Sequence, residues 1–174
     1  MASPAQVSRR DDGRICDVGS KREATVDDLY HVAGKAEIVH GELALMSPAG
    51  HAHGYAAFEI AVSLRDHARR TKRGQALPFG SKFIEGAPVF AVEVRSDEDD
   101  GSAAERTLAD KRADYFAAGT LVVWDVDIFH DGIVRVYRAS DPLAPVIYRK
   151  GERAQAEPAV PGWSMPVDDM FLPE

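Results

Sequence analysis

The stretch Pro88-Val89-Phe90-Ala91-Val92-Glu93-Val94-Arg95-Ser96 decides the fold expected for this chain. From Pro88 to Val92 every residue is apolar, which is the pattern of a central β-strand covered on both faces. Glu93 interrupts this apolar run near its end. Because burying an unpaired carboxylate costs on the order of several kcal/mol, Glu93 needs a cationic partner or a metal ion. Glu93 is therefore the first candidate functional residue.

The size of the chain favours one domain. It has 174 residues, of which 45% are hydrophobic, enough for a single well-buried core but not for two. Residues 1–22 are polar and charged without periodicity, so they are expected to form a disordered tail. Residues 23–174 are expected to form the single domain.

Several features of the sequence bear on where the protein works. The single cysteine, Cys16, excludes an internal disulfide bond and fits a reducing compartment. Charged residues recur from Arg9 onward, so no apolar core of a signal peptide is expected. No stretch approaches the roughly 20 apolar residues that span a bilayer. The sequence predicts a soluble, cytoplasmic protein without a membrane partner.

Hydrophobic periodicity predicts an α/β domain with a mixed sheet and two main helices. A short helix is expected from Thr25 to Tyr30, with Asp28 completing a capping box. A hairpin is expected to turn at His40-Gly41, because glycine tolerates positive φ. The two main helices are predicted over residues 53–70, with Phe58, Ala61 and Val62 on the apolar face, and over residues 102–118. Further strands are predicted over residues 121–127, 133–138 and 145–148.

A basic stripe ends the first main helix. Five cations and one acid occur between Arg65 and Arg73, although the formal net charge of the whole chain is -7. One interpretation is a solvated helix end whose cations favour the helix dipole. The other is a surface that contacts nucleic-acid phosphates. The contact residues would then be Arg65, Arg69, Arg70, Lys72 and Arg73.

The second main helix carries a lysine that helical spacing directs toward the sheet. Lys111 follows Leu108 by three residues and precedes Tyr115 by four, so all three lie on one side of the helix. That side is expected to place the ammonium group near Glu93. The alternative is that Lys111 extends past the edge of the helix into solvent.

Two acids flank the first hairpin, and their roles stay open at this point. Glu42 is better explained as a surface residue, whereas for Glu37 a functional role and a surface position are equally compatible with the pattern. A carboxylate cluster beside a lysine suits divalent-metal phosphodiester hydrolysis. Oxygen ligands hold Mg²⁺, the metal activates water, and the ammonium supports the developing negative charge.

The combination of these motifs resembles the putative restriction endonuclease family of the PD-(D/E)XK nuclease superfamily. The resemblance runs from about Ala24 to Phe171. It is carried by the segments Glu37-Ile38-Val39-His40-Gly41-Glu42-Leu43-Ala44-Leu45-Met46-Ser47-Pro48, His53, Gly86-Ala87-Pro88-Val89-Phe90-Ala91-Val92-Glu93-Val94-Arg95-Ser96, Lys111-Arg112-Ala113-Asp114-Tyr115-Phe116-Ala117-Ala118-Gly119 and Val123-Trp124-Asp125-Val126-Asp127.

The resemblance implies a restriction-endonuclease-like fold and a Mg²⁺-dependent (or Mn²⁺-dependent) DNA endonuclease, often a homodimer. It assigns catalytic roles to Glu93, Lys111 and Glu37, and it makes Glu93 and Glu37 metal ligands. Lys111 would be the catalytic lysine moved from the strand to the following helix. Arg95 occupies the position at which the superfamily usually has its basic residue.

One departure from the family pattern affects the expected activity. The family carries a Pro-Asp pair, whose aspartate binds metal, on a strand before the Glu93 strand, but residues 74–87 contain no aspartate. Loss of this ligand predicts weak metal binding, and loss of the strand predicts an exposed sheet edge that invites pairing with a second copy. The first hypothesis is an endonuclease with impaired catalysis. The alternatives are a non-catalytic DNA-binding or dimerisation module, and a poorly folded remnant.

Overall fold

The computed structural model describes residues 23–33, 36–39, 41–45, 50–74, 87–97 and 99–173. The chain divides into two units, Met1–Pro48 and Ala49–Glu174. The tail predicted over residues 1–22 lies outside the described residues. The prediction of one domain over residues 23–174 stays a prediction.

The described part of the first unit contains one short helix and a hairpin. Helix α1 (Val26–His31) begins after Thr25, whose backbone N–H donates to Asp28 Oδ2 at 2.7 Å, as the capping box predicts. Strands β1 (Ala36–Val39) and β2 (Glu42–Leu45) are antiparallel, and their register pairs Val39 with Glu42. Gly41 lies in the turn at φ 76°, a conformation that favours glycine. The predicted hairpin is therefore confirmed.

The second unit is a mixed α/β arrangement with two main helices. Its sheet has the strand order β3-β4-β5-β6, in which β3 and β4 are parallel and the other neighbours are antiparallel. A β7–β8 hairpin and a short 3-10 helix follow. The elements are α2 (His51–Thr71), β3 (Phe90–Val94), α3 (Gly101–Ala117), β4 (Val122–Asp127), β5 (Ile133–Arg138), β6 (Asp141–Arg149), β7 (Arg153–Gln155), β8 (Ser164–Pro166) and the 3-10 helix Val167–Met170. The predicted fold class is confirmed.

The strand that carries Glu93 is placed differently from expectation. Every residue of β4 is buried, so β4 is the strand covered on both faces. Strand β3 is instead at one end of the strand order within the described residues, and there only Ala91 of β3 is fully buried. An apolar run indicates that a strand is covered, but it does not reveal how many neighbours the strand has.

The apolar core lies on one face of this sheet. Alternate residues of β4 and β5 pack there against Ala56 and Ile60 of α2 and against the C-terminal segment. The rings of Trp124 and Trp163 stack with their centroids 4.9 Å apart. Phe58, predicted to face this core, is 62% exposed, because α2 turns the side with Ala56 and Ile60 toward the sheet.

The other face of the sheet is polar and is covered by α3. Structure is described for the whole of α3, and Leu108 is the one residue of this helix that is buried. Side chains of α3 contact Glu93, Arg95 and Asp125, which alternate along their strands with the residues of the apolar core. Helices α2 and α3 therefore cover opposite faces. In the part of the chain that is described, no helix is long and apolar enough to cross a membrane.

Candidate active site

Glu93 is held by two side chains of α3. Lys111 Nζ lies 3.3 Å from Glu93 Oε2, and the Tyr115 hydroxyl donates to Glu93 Oε1 at 2.7 Å. The side chains of Lys111 and Glu93 are 18% and 21% exposed, so solvent reaches both groups. Lys111 and Tyr115 lie one helical turn apart on the same side of α3. The predicted direction of Lys111 is the one observed, whereas its catalytic role stays a prediction.

Arg95 follows the last residue of β3 and points to the same face of the sheet as Glu93, but its contacts are with other acids. Its Nε and one terminal nitrogen donate to the two carboxylate oxygens of Asp125 at 2.7 and 2.8 Å, and its other terminal nitrogen donates to Glu105. The side chains of Arg95 and Asp125 are only 3% and 1% exposed. The hydrogen bonds to Asp125 raise the pKa of Arg95 further above its usual range. Lys111 is thus the cation that contacts Glu93.

Asp125 also contacts a second arginine. Arg112 of α3 donates to Asp125 Oδ2 at 3.4 Å, and its guanidinium lies 4.1 Å from the centroid of the Tyr137 ring. Burial raises the pKa of the Tyr137 hydroxyl, and the charge of Asp125 raises it further. Asp125 therefore has little capacity left for a metal ion.

Asp127, at the end of β4, organises the turn that follows. Its carboxylate accepts the backbone N–H groups of Phe129 and His130 at 3.2 and 2.9 Å, and that of Asp131 at 3.4 Å. Burial alone would raise the pKa of Asp127, but these N–H groups lower it, and the net pKa is below its usual value. Asp127 is thus an ionised structural carboxylate.

Most of the polar layer, the charged side chains between the sheet and α3, was not predicted from the sequence. Asp125 could have been found by the argument used for Glu93, because it too interrupts an apolar strand. The partners on α3 gave no such signal, since charged residues on a helix are normally solvated. The missed residues are Tyr115 as a contact of Glu93, and Glu105, Arg112, Asp125, Asp127 and Arg135.

The other predicted site residues lie elsewhere. The backbone of Glu37 is part of β1, opposite Ala44, but its side chain lies outside the described residues. Its role as a second metal ligand stays a prediction. Glu42 is exposed, as expected for a surface acid.

The residues of the basic stripe lie on α2 and directly after it, on the opposite face of the sheet from α3. All five are exposed: Arg65, Arg69, Arg70, Lys72 and Arg73. Their exposure is compatible with phosphate contacts and with simple solvation alike.

The fit of a divalent metal to this site is poor. Among the residues whose placement is described, no group of three histidine, cysteine, aspartate or glutamate side chains is arranged to hold a metal ion. Glu105 and Asp125 are neutralised by arginines, and Asp127 is saturated by backbone N–H groups. Glu93 is left as the single carboxylate beside a lysine.

Comparisons with known proteins support the nuclease resemblance at the level of family and fold. The chain is similar in structure to a protein from Anabaena variabilis ATCC 29413 described as a putative nuclease belonging to DUF820. The TM-score is 0.67 at 13% sequence identity, and the match covers 85% of this chain and 97% of the other. No curated protein matches the sequence. The family model described as "Uma2: Putative restriction endonuclease" matches residues 76–168. Since this match spans more than half of the sequence, the chain belongs to the Uma2 family of putative restriction endonucleases.

Proposed function

We propose that this protein hydrolyses phosphodiester bonds of DNA at a site centred on Glu93 and Lys111. The observation that carries the proposal is the contact of 3.3 Å between Lys111 Nζ and Glu93 Oε2 at a position that solvent reaches. Family membership supplies the substrate class. The geometry contributes a carboxylate and an ammonium group that a phosphate can approach together.

Each group has a chemical task in such a reaction. The Glu93 carboxylate can accept a proton from an attacking water molecule, and the Tyr115 hydroxyl fixes the orientation of that carboxylate. The Lys111 ammonium group can stabilise the negative charge that develops on the phosphate oxygens. The two groups lie on a strand and a helix that other polar contacts hold together, which favours a fixed geometry.

Metal dependence enters the proposal through the family alone. Mg²⁺ is usually bound by one or two carboxylates together with substrate phosphates and water. Because Glu93 is the single carboxylate at the described site, we propose that Mg²⁺ or Mn²⁺ binds weakly there. The resemblance to the nuclease superfamily names Glu37 as the second ligand, and that role stays a prediction. Calorimetric titration with Mn²⁺, in wild type and in Glu37→Gln, tests this ligand set.

The basic stripe is proposed as a DNA contact, and a homodimer is proposed as the working form. Because α2 and α3 cover opposite faces of the sheet, a duplex contacting both the stripe and Glu93 has to pass around an edge of the sheet. A second copy could supply the stripe for the site of the first. Sedimentation measurements with and without duplex DNA test the dimer.

The central experiment is a plasmid-nicking assay with and without Mg²⁺. Wild type is expected to nick the plasmid, and Glu93→Gln is expected to lose the activity while keeping its fold. Asp114→Asn is the matched control, since it removes the same charge from an exposed position of α3. Equal nicking by wild type and Glu93→Gln, or none by wild type, contradicts the catalytic proposal.

A second candidate function is DNA binding without cleavage. The observation that favours it is the internal neutralisation of the polar layer, in which Glu93, Glu105, Asp125 and Asp127 each contact a basic side chain. Such a layer attracts cations weakly and can serve structure alone. This candidate is supported if the protein binds duplex DNA with an affinity that falls as salt rises, but does not nick it. An affinity that does not change with salt counts against it.

A further inference from the structure

The Glu105 carboxylate lies at an unusual position for an acid on an exposed helix face. It is 50% exposed, yet it accepts a hydrogen bond from Arg95, a guanidinium that is otherwise buried. The other two hydrogen bonds of the Arg95 guanidinium are donated to Asp125. Glu105 is therefore the exposed partner of this guanidinium, and Asp125 is its buried partner.

Three arginines act on the Glu105 carboxylate: Arg95 contacts it, and Arg112 and Arg135 lie close to Asp125, the other acid that Arg95 binds. The hydrogen bond from Arg95 lowers the pKa of Glu105, and the charges of Arg95, Arg135 and Arg112 lower it further. Its carboxylate is thus held ionised by several guanidinium groups at once. Guanidinium groups bind phosphate as readily as carboxylate.

A second and independent observation comes from Arg135 on β5. One terminal nitrogen of its guanidinium donates to Asp131, whereas the other is buried, has no hydrogen-bond partner and lies 3.7 Å from Asp127 Oδ2, too far for a hydrogen bond. Buried charged donors normally find a partner. This nitrogen is therefore a donor whose hydrogen-bonding capacity is unused.

We propose that Arg95 and Arg135, with Arg112 beside them, form a binding position for a phosphate group, and that the Glu105 carboxylate fills this position in the present structure. The ligand is a phosphate oxyanion, either of a nucleic-acid backbone or free in solution. Binding exchanges one anion for another: Glu105 moves out toward solvent, and the phosphate takes its hydrogen bond from Arg95. The inference goes beyond the proposed hydrolysis, because it concerns binding and holds equally for a protein that does not cleave DNA.

The test removes the competing carboxylate. Glu105→Ala is expected to bind inorganic phosphate, measured by calorimetry, roughly tenfold more tightly than wild type, as expected when a charged competitor for a guanidinium is lost. Asp114→Asn removes the same charge elsewhere on α3 and is expected to bind like wild type. Adding Arg135→Gln to Glu105→Ala is expected to abolish the gain.

The same variants in a duplex-DNA anisotropy assay, without divalent metal, distinguish the two sources of phosphate. A gain for both probes indicates the nucleic-acid backbone, and a gain for inorganic phosphate alone indicates a free phosphate. Unchanged affinity of Glu105→Ala for both probes, or an equal gain in Asp114→Asn, overturns the proposal. If Glu105→Ala does not fold, Glu105→Gln replaces it, with a smaller gain expected and wild-type affinity overturning the proposal. Neither result depends on nicking activity.

Discussion

At the scale of single residues, Glu93 and Asp125 are a natural comparison. They are paired in register on neighbouring parallel strands, and both side chains point toward α3. Asp125 is bound by the fork of Arg95, whose parallel hydrogen bonds occupy both carboxylate oxygens. Glu93 faces a single ammonium group, a point charge on a flexible chain that leaves room for another ligand. Of these two acids, Glu93 is the one suited to chemistry.

The contribution of Lys111 can be measured directly. Lys111→Met keeps the length of the side chain but removes the charge beside Glu93, so plasmid nicking is expected to fall by about 100-fold, a usual effect of losing a group that stabilises the transition state. Lys150→Met, which removes an exposed lysine elsewhere, serves as the control. Equal rates for the two variants would exclude a role for Lys111.

Asp127 is expected to stabilise the fold in a pH-dependent way. Its pKa in the folded protein is lowered from 3.8, so its contribution is fully present above that pH and is lost as the pH falls through the folded value. Asp127→Asn is expected to lower the free energy of unfolding by about 1–3 kcal/mol at neutral pH. Urea unfolding at neutral pH and at about pH 3 should show the deficit shrinking with acid. A deficit that is constant with pH would contradict this assignment.

At the scale of elements, the two main helices are attached to the sheet by different forces. Helix α2 contributes Ala56 and Ile60 to the apolar core, whereas α3 is attached mainly through Glu105, Lys111 and Arg112. Ion pairs weaken by screening as ionic strength rises, the exposed ones most, whereas apolar contacts are not screened. The position of α3, and with it the Glu93–Lys111 contact, depends on this polar layer.

Removing Arg95 from the buried Arg95–Asp125 pair is expected to show how strongly the fold depends on the polar layer. Arg95→Leu leaves Asp125 buried with Arg112 as its remaining basic contact, so it is expected to cost about 3–5 kcal/mol in unfolding free energy. The double variant Arg95→Leu/Asp125→Leu is expected to cost less than the sum of the single variants. Denaturant unfolding of wild type and the three variants completes the cycle. Additive costs would mean that the pair does not act as a unit.

Helices and strands were predicted from the sequence more accurately than the contacts between them. Helices and strands follow from local periodicity, which is why the strand at residues 133–138 was predicted with its observed bounds. The position of β3 within the sheet depends on strand order, which periodicity does not encode. The partner of Arg95 depends on the register between β3 and β4, and the outward direction of Phe58 depends on which side of α2 fits the sheet. The direction of Lys111 was predictable because helical spacing alone fixes it.

At the scale of the whole molecule, charge is distributed unevenly. The chain has a formal net charge of -7, yet the basic stripe collects five exposed cations at the end of α2. A net negative protein is repelled by DNA at long range, so binding has to rely on such a local surface. The stripe and Glu93 lie on opposite faces of one sheet, so the proposed DNA contact and the proposed reaction site are separated in space.

This separation predicts how DNA affinity responds to salt. Arg69→Gln/Arg70→Gln is expected to weaken duplex binding and to reduce the slope of log affinity against log salt by about 2, since each phosphate contact contributes about 0.9. Nicking per bound complex should be unchanged. The control is Arg106→Gln/Arg149→Gln, which removes two exposed cations outside the stripe. An unchanged slope in the first variant would show that its arginines are only solvated.

The stacked indole pair has a practical consequence for studying this protein. The chain contains 2 tryptophans, and both are the buried rings that join the sheet to the C-terminal segment. Tryptophan fluorescence therefore monitors the apolar side of the sheet and does not report directly on loosening of α3. Tyr115 and Tyr137 lie on the side that α3 covers. Tryptophan fluorescence that stays native while tyrosine absorbance changes would reveal a state in which α3 has loosened from the sheet while the apolar core on the other face stays intact.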